Sequence, residues 1–252
     1  LQMDADPTIP EKVFAVPGKM TALLKNTKKR FARCGVDEED AEWIFALVLD
    51  IPKSSVATEE KILKVAQAKE IIRIADERLT GRPLWYIIGD TDFCGYTIKV
   101  DERVLIPRPE TSELVRWIIA ETAQKPCSIL DIGTGSGCIA VSLALALGAE
   151  WQVEAWDISE EALNIARQNA LRHCAQIKFR QQDALDTAAV ADRYHVIVSN
   201  PPYICDSERD DMEAHVLDYE PHTALFVPDA DPMLFYRALA QLARRALVPG
   251  GL

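Results

Sequence analysis

The sequence predicts an α/β protein: a parallel sheet with helices on both faces, preceded by a small helical domain. Three observations predict it. From Thr111 onward, short strand-like apolar runs alternate with amphipathic helical stretches. The first third carries apolar residues at helical spacing. Between them "DFCGYTIKVDERVLIPRPE" switches period and then becomes proline-marked chain. The expected division is 1–90 helical, 91–110 hairpin and connector, and 111–252 the α/β domain.

In the first domain, "GKMTALLKNTKKRFARCG" and "DEEDAEWIFALVLD" read as helices, with Asp37 as N-cap of the second. "TEEKILKVAQAKEIIRIADERLTG" reads as one long helix capped by Thr58, with acids in its first turn and Gly81 at its end. Beyond the connector, "TSELVRWIIAETAQ" is helical, "SILDIG" a buried strand and "GCIAVSLALAL" a helix. "WQVEAWD" is then a strand and "SEEALNIARQNALRH" a helix capped by Ser159. "AQIKFRQQD" and "YHVIVSN" supply two more strands, and "PMLFYRALAQLARRAL" a further helix.

Composition narrows the setting. A chain of 252 residues, 48% apolar, can bury a full core. Its formal net charge of -11 argues against attraction to phosphate backbones or anionic membranes. The six cysteines form no CxxC pair and have no ligand spacing with the four histidines, so a reducing compartment is expected and a structural metal is not. The start "LQMDADPTIPEK" does not resemble a secretory signal. The longest apolar stretch, around Cys138 to Leu147, is too short to span a bilayer.

"LDIGTGSG" marks a strand-to-helix turn in which Gly133, Gly135 and Gly137 allow tight turning and close approach of a ligand to the backbone at Thr134 and Ser136. GxGxG is one residue short of the GxGxxG dinucleotide pattern, and Asp131 lies on the strand before it. The stretch favours S-adenosylmethionine over a nicotinamide or flavin cofactor. Asp157 ends the next strand, where it could accept from both hydroxyls of a ribose or simply cap the following helix. Asp183 ends the third, with Ala184 leaving room for the adenine end of a ligand.

"VIVSNPPYICD" is more specific. Pro201 and Pro202 fix their own φ angles and hold Asn200 and Pro201 extended, while removing two N–H donors. What remains is an acceptor frame, the Asn200 amide oxygen and the Pro201 carbonyl, suited to a planar NH₂ group, with Tyr203 as an aromatic face. The glycine loop, Asp157, Asp183 and Asn200 all fall at the carboxyl ends of strands, where open parallel sheets bind ligands. Arg108 and Glu110 read as a connector ion pair, His195 and His222 as ordinary polar residues, and residues 204–228 as either a substrate lid or a flexible surface loop.

"DIGTGSG", Asp157, "SNPPYI", "YEPHTAL", "GRPLWYIIG" and "VLIPRPETSELV" together resemble the HemK/PrmC-type glutamine methyltransferases, densely so from about Gly81 onward. The resemblance implies a Rossmann-like class I S-adenosylmethionine-dependent methyltransferase fold and a substrate-recognition role for the helical domain. It also implies methylation of the glutamine of the Gly-Gly-Gln motif in peptide chain release factors, in the bacterial cytoplasm or an organellar matrix. Residues 133–137 would wrap the methionine part, Asp157 the ribose, Asp183 and Ala184 the adenine edge, and Asn200, Pro201, Pro202 and Tyr203 the substrate amide. The family would enter a fifth strand and a closing antiparallel pair after "LVPGGL", so a C-terminally shortened domain is expected. The competing functions are an adenine amino methyltransferase acting on DNA or RNA, because an exocyclic NH₂ makes the same demand, and a non-catalytic cofactor-binding module.

Overall fold

In the computed structural model, which describes residues 18–122, 127–186 and 193–252, helices form in the first third at the predicted spacing. They are α1 (Met20–Arg33), α2 (Glu38–Leu49), a short α3 (Lys53–Val56), α4 (Val65–Arg78) and α5 (Leu84–Ile88). Asp37 caps α2 by accepting the Glu39 N–H at 2.8 Å. The long helix predicted from Thr58 starts instead at Val65. Residues before it have better backbone partners: Thr58 N–H closes the turn of α3 on the Ser55 carbonyl, and Ile62 bridges Lys19 in antiparallel fashion. Next to that bridge Leu63 is buried and donates its N–H to the Gly18 carbonyl at 3.1 Å. The first compact unit ends at Ile87, and its core is built from Met20, Phe31, Ile44, Phe45, Leu63 and Ile71.

The second unit runs from Ile88 to Leu252. It opens with a hairpin of β1 (Asp90–Phe93) and β2 (Tyr96–Lys99), turned by Cys94 at φ 55° and Gly95 at φ 80°. Positive φ at both turn residues matches the twist of a two-residue hairpin. After α6 (Pro109–Thr122) come β3 (Ser128–Ile132), α7 (Cys138–Leu147), β4 (Gln152–Asp157), α8 (Glu160–Arg172), β5 (Ile177–Gln181) and β6 (Val196–Ser199). The strands form one parallel sheet in the order β5-β4-β3-β6.

That order places the functional ends of the strands. From β3 the chain winds outward to β4 and β5, then returns to lay β6 on the other side of β3. The reversal between β3 and β6 opens a crevice at their carboxyl ends. Ile132 pairs with Ser199, so Gly133 and Asn200, the next residue on each strand, emerge side by side. Helix α10 (Leu234–Ala246) packs Leu242 and Ala246 against Leu130, Ile132, Trp156 and Tyr194. Beyond it, Leu252 exchanges two backbone bonds with the outer edge of β6, accepting from Ile197 and donating to His195.

Candidate active site

The loop after β3 turns by positive φ at Gly133 (69°), Gly135 (55°) and Gly137 (79°), but the glycines differ in what surrounds them. A Cβ added at Gly133 or Gly135 would meet nothing within 4 Å; at Gly137 it would lie 2.9 Å from Cβ of Ala166 on α8. The first two keep a cavity open, and the third seats the loop on a helix. Gly137→Ala is therefore expected to destabilise the chain by about 1–3 kcal/mol through overpacking and left-handed strain. Urea unfolding checks this, and an unchanged midpoint would contradict the packing role.

Above the loop lies a cavity of about 560 Å³, within the usual range for small-molecule sites. Gly133, Thr134, Gly135 and Ser136 form one wall, Asp157, Asp183 and Ala184 another, and Asn200, Pro201 and Pro202 a third. Three predicted residues lie elsewhere. Asp131 is fully buried beneath the loop, Gly137 faces α8, and Tyr203 points outward at 58% exposure without lining the cavity. Phe226, Phe235 and Leu239 close the cavity with apolar surface.

Both carboxylate oxygens of Asp157 accept backbone N–H groups. Its Oδ1 accepts the Ser159 N–H at 2.9 Å, ahead of α8, while Oδ2 accepts the Gly135 N–H at 2.8 Å and ties β4 to the glycine loop. The N-cap itself is Ser159, whose Oγ accepts from Ala162 at 3.1 Å. Asp183 accepts the Leu185 N–H at 2.8 Å and so shapes the turn after β5. Under the loop, Asp131 Oδ2 accepts the Thr134 hydroxyl at 2.6 Å, while Oδ1 has no well-formed hydrogen bond, the Ala140 N–H giving partial support.

Burial pushes Asp131 up to about 7, and the charge of Asp157 adds to the rise. Burial also raises Asp157, against the N–H groups of Ser159 and Gly135. Among the described residues no Lys or Arg forms an ion pair with either carboxylate. Of the two only Asp157 reaches the cavity, where with Asp183 it makes an acidic recess suited to a cationic ligand, while Asp131 stays buried behind the loop. Asp131 also sets a pH signature. Its folded value lies above its unfolded one, so its contribution to stability is present below about pH 4 and is lost as pH rises to about 7. The stability of Asp131→Asn relative to the parent is expected to rise across that window by a few kcal/mol (~3–4). Unfolding free energies at closely spaced pH values check this, and a flat difference curve would contradict it.

At the other end, Asn200 Nδ2 points to Thr111 Oγ1 at 3.4 Å, which leaves Oδ1 free of that contact. Ser199 Oγ donates to the Ile132 carbonyl at 2.7 Å and locks the end of β6 to β3. Arg108 does not pair with Glu110. Its Nη2 meets Oε1 of the buried Glu220 at 2.7 Å, and Glu220 Oε2 accepts the Ile106 N–H at 3.3 Å. Residues 204–228 are ordered by β7 (Ile204–Cys205) paired in parallel with β8 (Phe226–Val227), with α9 (Ala214–Tyr219) between. Glu220 fastens this segment to the proline connector.

Comparison with known proteins places this geometry. A family model described as Methyltransferase small domain matches residues 112–219, and one described as PrmC N-terminal domain matches residues 22–89. The Release factor glutamine methyltransferase of Bacteroides thetaiotaomicron is 49% identical over 191 residues, which cover 75% of this chain and 68% of that protein. The chain belongs to the release factor glutamine methyltransferase family. Proteins of the same name from Flavobacterium psychrophilum (38% over 245 residues, 91% of this chain and 84% of that one) and Chlorobaculum tepidum (39% over 256, 96% and 84%) agree. The second unit accordingly has the Rossmann-like class I methyltransferase fold.

Within this family member, the sequence reading missed Thr111, Glu220 and Asn169. Thr111 and Glu220 lie within the quoted "VLIPRPETSELV" and "YEPHTAL" stretches, and Asn169 left a signal as a polar residue on the buried stripe of α8 that also holds Ala162 and Ala166.

Proposed function

We propose that the chain transfers a methyl group from S-adenosylmethionine to the side-chain amide nitrogen of the glutamine in the Gly-Gly-Gln motif of peptide chain release factors, leaving S-adenosylhomocysteine. One observation carries this: across the β3–β6 switch, an open glycine loop with an acidic recess stands beside a proline-framed set of acceptors. Membership in the family supports it.

The residues fit the cofactor. Gly133 and Gly135 leave open space where a Cβ would intrude, Asp157 keeps lone pairs for ribose hydroxyls, and the recess suits a ligand bearing ammonium and sulfonium charges. Asp183 and Ala184 would border the adenine. When bound, S-adenosylmethionine supplies an electrophilic methyl group on sulfur. Asn200 Oδ1 and the Pro201 carbonyl accept the two N–H groups of the acceptor amide, which turns the nitrogen toward that methyl. An amide nitrogen is a poor nucleophile, and alignment of bound reactants contributes on the order of 7–11 kcal/mol in favourable cases, so positioning is the main cause of rate. After attack the methylated nitrogen loses its proton to water, and the site needs no strong base.

Residues 1–90 act in recognising the acceptor protein, 91–110 connect, and 111–252 carry the chemistry. Among the described residues no helix is long and apolar enough to cross a membrane. The acidic net charge of -11 disfavours stable nucleic-acid binding. The place of action is the compartment of the release factor, the bacterial cytoplasm or an organellar matrix. With radiolabelled cofactor, label is expected in purified release factor and absent from oligonucleotides. Label only in oligonucleotide would establish adenine amino transfer instead, and cofactor binding with label in neither would establish a binding module.

A further inference from the structure

Asn169 on α8 is wholly buried, yet every hydrogen-bonding group of its amide reaches backbone far away in the chain. Its Oδ1 accepts the Lys99 N–H at 2.7 Å, and its Nδ2 donates to the Lys99 carbonyl at 3.0 Å and to the Ser136 carbonyl at 2.8 Å. The orientation is fixed by chemistry, because a flipped amide would set its oxygen against two carbonyls. To the end of β2 this side chain acts as a neighbouring strand would, offering one acceptor and one donor to a single residue. Its second N–H holds the glycine loop one residue before Gly137, the position that rests on Ala166 of the same helix face.

Both partners belong to walls of the cavity. Ser136 lines it directly, and three residues past Lys99 the chain enters the lining segment 102–105. We infer that Asn169 is a positioning residue for the cofactor site: it sets the spacing between the glycine loop and segment 102–105 while touching neither cofactor nor acceptor. A buried Asn that served α8 alone would not need to bridge two other segments. Removing it leaves an N–H and two carbonyls unpaired, and the least costly relief is for the loop and the end of β2 to move toward water.

This inference rests on the cofactor reading above, which the parent chain's own affinity for S-adenosylhomocysteine tests separately. Calorimetry compares the parent, Asn169→Ala and Ile165→Ala, the last removing a fully buried side chain of the same helix that touches no loop backbone by hydrogen bond. Measured well below each unfolding midpoint, affinity is expected to fall at least about tenfold in Asn169→Ala and to stay within about twofold in Ile165→Ala, as small misplacements of site groups cost. In the cofactor-free chains, exchange of the Gly137 amide, which donates to the Thr134 carbonyl at 2.8 Å, is expected to quicken only in Asn169→Ala. Parent-like affinity in Asn169→Ala, or an equal loss in Ile165→Ala, overturns the positioning role. If Asn169→Ala does not fold, Asn169→Asp, which keeps the size and the acceptor, is read the same way. Failure of both to fold makes the residue a determinant of the fold alone and overturns the inference.

Discussion

Asn200→Ala is expected to lower single-turnover methyl transfer by about 10²–10³ while cofactor affinity stays within a few-fold, the usual cost of losing one preorganised polar group at a reacting centre. The separation follows from where Asn200 sits. It leaves β6 across the switch from Gly133, and its Nδ2 is turned to Thr111, so that Oδ1 is the atom left for an acceptor. If Asn200 only stiffened the turn, stability and cofactor binding would fall together. Unfolding, calorimetry and rapid-quench transfer on the same variant distinguish the two, and transfer at the parent rate would remove the amide-holding role. Asn200→Asp adds a finer readout, since it retains an acceptor oxygen but can no longer donate to Thr111.

Asp157→Ala is expected to weaken cofactor binding by about 10- to 100-fold, because hydrogen bonds to a charged group are worth about 1.5–3 kcal/mol and each 1.4 kcal/mol is tenfold in affinity. Part of that loss is indirect, since the Gly135 and Ser159 N–H groups lose their acceptor as well. Asp157→Asn keeps an acceptor oxygen and removes the charge, so it should show a smaller loss with little change in stability. Gly135→Leu attacks the same site sterically. A Cβ at that position meets no protein atom within 4 Å, so beyond the strain of a side chain at φ 55° the rest of the leucine would occupy ligand space. Affinity for S-adenosylmethionine that is unchanged in both Asp157→Ala and Gly135→Leu would refute the assignment of this wall to the cofactor.

What the sequence revealed and concealed divides along the range of the interactions. Prolines 201 and 202 constrain their own backbone and the residue before, so the turn that brings Asn200, Pro201 and Pro202 to the cavity wall was legible from four letters. The glycine loop and Asp157 were legible because one strand-helix-strand unit separates them by a regular distance. Distinguishing Gly137 from Gly135 was not, since the difference lies in Ala166, a residue of another helix. Arg108 illustrates the same limit: a local partner, Glu110, stood two residues away, yet the buried Glu220 took the pair from 112 positions along the chain. Thr58 failed as a helix start because Ile62 found a backbone partner at Lys19, which helical periodicity cannot anticipate. Tyr203 was judged by residue type, and the turn after two prolines directs it outward instead.

Methyl transfer to the acceptor glutamine is tested most directly by fragmentation mass mapping of a purified release factor after incubation with the parent chain and S-adenosylmethionine, with Asn200→Ala run beside it. One added methyl is expected on the side-chain nitrogen of the glutamine in the Gly-Gly-Gln motif, formed by the parent and strongly reduced in the variant. A methyl group on any other residue, or on that glutamine in equal amount from both chains, would contradict it.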